Sequence, residues 1–193
     1  MLFSNITILD EELNVKENQY VLIKDDRVAY IGDERPQEVS GREIDGKGRL
    51  LMSGFFNAHA HSPMTLMRGY GENMVLQDWL TKKIFPFEDK LTGEAVYWGT
   101  MLAMAESLKF GIVSTSDMYY FCDDICDVIA KSGMKANISR GTSMFLGDDF
   151  DFEKFPACQE LVELKNKWHN YDNGRIKIEA SIHAEYTSTY QLW

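Results

Sequence analysis

Apolar and polar positions change character near residue 50. Before it, apolar residues come in short runs. Ile6-Thr7-Ile8-Leu9 is one; Tyr20 to Lys24 and Arg27 to Ile31 are two more, either side of Asp25-Asp26. Short segments flanking a polar two-residue loop predict a β-hairpin. Gly32, Pro36, Gly41, Gly46 and Gly48 then punctuate the chain. Strands this small bury little area by themselves, so residues 1–50 are expected to pack on something else.

From residue 51 the runs lengthen and alternate in type. Leu50-Leu51-Met52 and Phe55-Phe56, broken by Gly54 and closed by Asn57-Ala58-His59, form an apolar run without alternation. Such a run predicts a strand buried on both faces. Residues 73–85 carry Met74, Leu76, Trp79, Leu80, Ile84 and Phe85 at mostly helical spacing, and residues 94–110 do so more strongly before stopping at Gly111. Ile112 to Thr115, Lys135 to Arg140 and Ile176 to Ile182 read as strands. Ile125 to Lys131 and Pro156 to His169 read as helices. Regular alternation of strand and helix predicts an α/β chain with parallel strands and right-handed crossovers.

Composition narrows the classes. The 193 residues are 45% hydrophobic and 26% charged, an ordinary globular balance. A net charge of -10 argues against nucleic-acid binding through a long basic groove. No run approaches the roughly 18 apolar residues of a membrane span, and Asp10, Glu11 and Glu12 stand where a signal peptide needs an apolar stretch. The three cysteines are an odd number, which fits free thiols in a reducing cytoplasm. Cys122 and Cys126 are four apart and share a helix face, but no second Cys or His pair lies near them in sequence to complete a metal site.

The sharpest chemical feature is Gly54-Phe55-Phe56-Asn57-Ala58-His59-Ala60-His61. Residues i and i+2 of a strand point to the same side, so His59 and His61 can aim both imidazoles at one point. Neutral imidazole is a good ligand for zinc and related divalent metals. Barrel enzymes place chemistry where strands end and βα loops begin, which is where this pair falls. The alternative is an ordinary His-x-His with no metal role. His169, at a predicted helix end, reads as structural.

Gly54 to His61, continued by Ser62-Pro63-Met64-Thr65-Leu66-Met67-Arg68-Gly69, resembles the metal-binding signature of the amidohydrolase superfamily. The branch it resembles is that of the S-adenosylhomocysteine/5′-methylthioadenosine deaminases and their chlorohydrolase relatives. Leu76 to Leu80 with Ile84 to Glu88, Phe110 to Tyr119, and His183-Ala184-Glu185-Tyr186-Thr187 resemble later pieces in the family's order. The resemblance implies residues 1–50 as part of a small β-sandwich domain. It implies residues 51–193 as the first four βα units of a TIM-like (β/α)8 barrel.

It also implies roles. His59 and His61 would hold one divalent metal; zinc fits, and iron and manganese use similar ligand sets. Glu88 matches an acid that accepts hydrogen bonds from ribose hydroxyls, the alternative being a solvated loop acid. Arg140 matches an arginine facing the substrate tail, the alternative being a surface salt bridge. His183 matches a substrate-contacting histidine beside the metal, the alternative being a structural histidine. Trp79 matches an aromatic wall, the alternative being packing on a helix face. The third metal histidine, the proton-shuttling glutamate and the metal-binding aspartate belong to later strands, so no catalytic residue is assigned within this chain.

The implied parent activity is hydrolytic deamination of an amino-purine nucleoside or related heterocycle, and the 193 residues are expected to be an inactive N-terminal part of it. Rivals are C–N or C–Cl hydrolysis of a triazine or cyclic amide, and a non-catalytic half-barrel module. Two-metal members carry a carboxylated lysine after the fourth strand; His183 there favours one metal. Half a barrel exposes an apolar edge, so self-association or a missing C-terminal half is the expected partner, with a small-molecule substrate and neither nucleic acid nor membrane. Asp148, Asp149, Asp151 and Glu153, with no arginine between Gly141 and Cys158, would repel a carboxylate tail.

Overall fold

The computed structural model describes residues 1–145 and 149–193, in two compact units, Met1–Gly54 and Phe55–Trp193. Met1–Gly54 contains β1 (Leu2–Leu9), β2 (Val15–Lys24), β3 (Arg27–Gly32), β4 (Glu43–Asp45) and β5 (Leu50–Leu51). β1 pairs antiparallel with β2 and parallel with β4 and β5. β2 and β3 form the hairpin, with Lys24 opposite Arg27. Asp25 turns the chain in the left-handed region at φ 52, which aspartate tolerates better than most residues. Ile6, Ile8 and Val21 make the small core, with Phe3, Ile23 and Leu51 against it. Gly46 leaves β4 so close to Ile6 that a Cβ would sit 2.5 Å from it, so the site admits no side chain.

Leu50-Leu51 reads in the sequence as the opening of the histidine-bearing strand. It instead lies along β1, with Thr7 opposite Leu50. The strand that carries His59 begins at Phe55.

Phe55–Trp193 contains β6 (Phe55–Ala60), β7 (Ile112–Tyr119), β8 (Lys135–Thr142) and β9 (Ile176–Ile182). Among the described residues these strands pair in chain order, every pair parallel. After β6 comes a 3-10 turn, Ser62–Met67. A helical run follows: α1 (Leu76–Trp79), a π turn (Leu80–Ile84) and α2 (Phe85–Glu88). α3 (Gly93–Lys109) leads to β7, α4 (Cys122–Ser132) joins β7 to β8, and α5 (Pro156–Trp168) lies between β8 and β9. Among the described residues no helix is long and apolar enough to cross a membrane.

Local chemistry explains the helix limits. The Thr92 hydroxyl accepts from the Ala95 amide and caps α3. Asp123 and Asp124 stand in the first turn of α4, where the helix dipole favours negative charge. Gly133 ends α4 at φ 80. Arg175 then donates to the carbonyls of Ile129 and Ala130 in the last turn of the helix, and to that of Met134 just beyond it. Val96 and Met104 of α3, Ile125, Val128 and Ile129 of α4, and Ile138 and Ile176 of the sheet form the core. Cys122 and Cys126 are free and buried in that core, and the Cys122 thiol donates to the Tyr119 and Ser139 carbonyls.

β6 departs from the reading of a strand buried on both faces. Phe55 is 56% exposed and Phe56 72%. β6 stands at one end of the strand order, with β7 its paired neighbour among the described residues, so its outer side chains lack a second layer within this unit.

The turn after the histidine motif is anchored by α3. The Thr65 hydroxyl donates to the Gly99 carbonyl at 2.7 Å. A Cβ on Gly99 would lie 2.7 Å from the Pro63 carbonyl oxygen, a backbone atom with little room to yield. Gly→Ala in a helix interior ordinarily stabilises by up to about 1 kcal/mol. Here Gly99→Ala is expected to destabilise by about 1–3 kcal/mol, as overpacking does, in denaturant unfolding of the chain. A stabilised variant would show that the turn is not clamped by α3.

Candidate active site

β6 delivers His59 in its last turns of pleat, and His61 follows one residue beyond the strand, at the start of the 3-10 turn. The two rings are 4.9 Å apart between centroids and nearly perpendicular, at 84°. His59 is exposed and His61 half-buried.

His61 is oriented by the neighbouring strand. Its Nδ1 lies 2.6 Å from the Met118 carbonyl oxygen. A carbonyl only accepts, so Nδ1 carries the proton and donates, and Nε2 keeps its lone pair. The next residue is held from the same strand: the Ser62 amide donates to both carboxylate oxygens of Asp117, at 3.1 and 3.3 Å. Asp117 is 1% exposed. Burial pushes its carboxyl above the usual carboxylate range, while the Ser62 contacts and the nearby His61 ring oppose the shift.

His183, just past the end of β9, lies 6.1 Å from the His61 ring. Its Nδ1 is 2.8 Å from the Thr187 hydroxyl oxygen, and that hydroxyl donates to the Ala184 carbonyl. The hydroxyl proton being so engaged, Nδ1–H donates to Thr187, and Nε2 of His183 is again left as an acceptor. Burial holds the His183 pKa below the ordinary imidazole value, and repulsion from His61 and His59 adds to this.

His61 and His183 open onto a cavity of about 450 Å³, which Trp79, Phe85, Glu88, Tyr119 and Tyr120 also line. Burial raises the Glu88 carboxyl above its ordinary range, opposed by the Tyr119 hydroxyl and the His61 ring and helped by Asp89. The buried Tyr119 hydroxyl has no hydrogen-bond partner of ordinary geometry among the described residues. Burial and the adjacent Glu88 charge both push its ionisation upward, so it stays protonated and able to donate.

The fold thus gathers His59, His61, Glu88, His183 and Trp79 around one region. Arg140 is not brought to the cavity. Its guanidinium pairs with Glu160 of α5, donates to the Gly141 carbonyl and lies 4.7 Å above the Tyr120 ring. His169 is exposed, and its Nδ1 accepts from the Ile178 amide at 3.1 Å. Of the acids between Gly141 and Cys158, Asp148 lies outside the described residues; Asp149, Asp151 and Glu153 are exposed and do not line the cavity.

Sequence reasoning missed Asp117, Tyr119 and Tyr120. It ended the second strand at Thr115, although the strand runs on to Tyr119 with Thr115, Asp117 and Tyr119 buried in alternation. The residues themselves, Ser114-Thr115-Ser116-Asp117, are all polar, so no alternation of residue type marked the buried face in the sequence.

The donor set fits part of a divalent-metal site. Two imidazoles with adjacent rings, one with its Nε2 lone pair fixed, suit zinc. Among the described residues no group of three or more His, Cys, Asp or Glu side chains forms a complete cage.

A model of the amidohydrolase family matches residues 50–192. A 5-methylthioadenosine/S-adenosylhomocysteine deaminase from Dictyoglomus turgidum is 35% identical over 187 residues, covering 97% of this chain and 42% of that protein. The crystal structure of an adenosine deaminase from Xanthomonas campestris with bound zinc superposes with a TM-score of 0.84 at 27% identity, over 97% of this chain and 44% of that one. The zinc complex of atrazine chlorohydrolase from Arthrobacter aurescens TC1 superposes with a TM-score of 0.79 at 20% identity, over 93% of this chain and 46% of that one, a likeness of fold alone. The chain spans less than half the length of these relatives.

Glu88 supplies a pH test. A carboxyl whose pKa is raised by folding leaves stability intact at low pH and erodes it once the unfolded chain ionises, above about pH 4.3. Glu88→Gln is therefore expected to raise the melting temperature near pH 7, with the gain vanishing below about pH 4. A gain of equal size at both pH values would show that Glu88 is not desolvated.

Proposed function

The chain belongs to the amidohydrolase family, and on that premise we propose that the protein it represents is a metal-dependent hydrolase that deaminates an amino-purine nucleoside or a related heterocycle. The four parallel strands β6 to β9 are read as the first half of a (β/α)8 barrel, and Met1–Gly54 as part of a small β domain. The observation that carries the proposal is the His59–His61 pair at the mouth of a strand, with His61 pinned to the Met118 carbonyl and facing an aromatic cavity.

In this reading His59 and His61 are two ligands of one divalent cation, zinc in the first instance. Bound there, the cation would supply Lewis acidity and a water acidified to near neutral pH. Trp79, Phe85 and Tyr120 bound a slot for a flat ring, and base–aromatic stacking contributes about 1–3 kcal/mol. Glu88 accepts from two neighbouring ribose hydroxyls, for which a carboxylate has enough lone pairs. The Tyr119 hydroxyl, kept protonated by burial and the adjacent Glu88 charge, has a proton to offer that carboxylate. His183, neutral and with Nε2 free, presents an acceptor to a ring or amine N–H beside the cation.

Glu88 also discriminates between nucleosides and triazines, since a triazine offers no vicinal diol to a half-buried carboxylate. The remaining metal ligands and the proton-transfer groups belong to strands outside these 193 residues, so this chain alone is expected to be inactive. Its open strand edges would be covered by the other half of the barrel or by self-association.

Ammonia release from adenosine derivatives by the full-length protein is expected, with none from residues 1–193 alone. His59→Ala and His61→Ala are each expected to lower divalent-metal affinity by more than the roughly 10–100-fold typical of changes one shell further out. Metal analysis after dialysis checks this, and undiminished metal in either variant would remove that residue from the ligand set.

A further inference from the structure

The helical run from Leu76 to Glu88 forms one wall of the cavity, and Trp79, Leu80, Ile84, Phe85 and Glu88 all line it. Trp79, Leu80, Ile84 and Phe85 keep right-handed helical dihedrals, so the run is one continuous helix with the π turn at its centre. A straight α-helix could not present this set. At 3.6 residues per turn each residue advances the helix by about 100°. Trp79 and Glu88 would then stand about 180° apart, on opposite faces.

The π turn carries one extra residue. The Phe85 amide donates to the Leu80 carbonyl, five residues back, whereas the Trp79 and Asp89 amides donate four residues back, to Val75 and Phe85. The extra residue absorbs about 100° of rotation and brings Trp79 and Glu88 to about 80° of each other, on one side of the helix. Pro86, inside the run, supplies the cause. A proline there has no N–H to donate, and in a straight α-helix its ring would strike the carbonyl four residues back, that of Lys82. Widening the preceding turn relieves the clash. The Thr81 hydroxyl donates to the Gln77 carbonyl at 2.7 Å, a side-chain bond that bends helices, in the same stretch. Pro86 itself is exposed and does not line the cavity.

We propose that Pro86 is a positioning residue: by forcing the π turn it sets the Trp79 ring and the Glu88 carboxylate on one wall, so that a single nucleoside meets both, its base on the ring and its ribose diol on the carboxylate. The proposal deepens the deaminase reading and rests on it for the identity of the ligand. With Pro86 replaced by alanine, regular α spacing becomes available and the helix gains the amide that proline denies it. Glu88 then turns away from Trp79. The diol loses its acceptor, while the base keeps its aromatic surface.

The test uses the full-length protein with its metal and two pairs of nucleosides that differ only in the diol. Ammonia release is followed from adenosine and 2′,3′-dideoxyadenosine. Kd is measured by calorimetry for inosine and 2′,3′-dideoxyinosine, which have no amine left to lose. The wild-type protein is expected to prefer the diol by about tenfold or more in Kd and in KM, as hydrogen bonds to a charged acceptor imply. Pro86→Ala is expected to narrow that preference to about threefold or less by weakening the diol ligands alone, with kcat and the dideoxy ligands unchanged and the melting temperature no lower. Moving the carboxylate one residue earlier, by Phe87→Glu with Glu88→Ala, is expected to recover the preference in the Pro86→Ala background and to abolish it behind the intact proline. Residue 87 of a straight helix takes the bearing that residue 88 has behind a π turn. An unchanged preference in Pro86→Ala overturns the proposal, as does weakening of both ligands alike, a relocated carboxylate that acts equally in both backgrounds, or a wild-type protein indifferent to the diol. A diol preference that responds to Pro86→Ala without any ammonia would uphold the positioning role and overturn the deaminase reading instead.

Discussion

The hydrogen bond from His61 Nδ1 to the Met118 carbonyl is the contact on which the site depends. It joins the ends of two neighbouring parallel strands, so it exists only if β6 and β7 pair in register, with Ala60 opposite Asp117. It fixes both the direction of the ring and the nitrogen that carries the proton. Without it, the imidazole would be free to offer either nitrogen, and the pair with His59 would lose its common focus. The flanking contact from the Ser62 amide to Asp117 ties the following turn to the same strand. Gly99 lets α3 press against that turn from behind. Sheet register, a buried carboxylate and a missing side chain therefore converge on one ring.

Around that ring the electrostatics are consistent. The histidines facing the cavity present lone pairs, and His183 is kept neutral by burial and by its neighbours. The acids, Asp117 and Glu88, are both partly starved of water and shifted upward. A site built from neutral donors and desolvated carboxylates favours a cation and hydroxyl-bearing ligands, and offers little to an anion. The Arg140–Glu160 ion pair lies outside the cavity.

Much of this was legible in the sequence because it is local. The strand–helix alternation after residue 55, the Gly111 stop, the Asp25-Asp26 hairpin and the His-x-His spacing each depend on residues close in the chain. What was hidden depends on pairing over distance. Leu50-Leu51 looks like the start of the histidine strand until β1 claims it. Phe55 and Phe56 look interior because apolar runs usually are, yet β6 stands at the end of the strand order. Arg140 lies at a strand end, where either a substrate or a salt bridge would suit it, and only the position of Glu160 twenty residues later on α5 decides the matter. Asp117 went unnoticed because a lone aspartate in a strand carries no sequence mark of burial.

The most direct measurement is the tautomer of His61, read from long-range proton–nitrogen-15 couplings of the imidazole in the metal-free protein. A proton on Nδ1, with Nε2 bare, is the predicted result. A proton on Nε2 would mean that the Met118 carbonyl does not orient the ring, and the pairing of His59 with His61 as metal ligands would lose its structural basis.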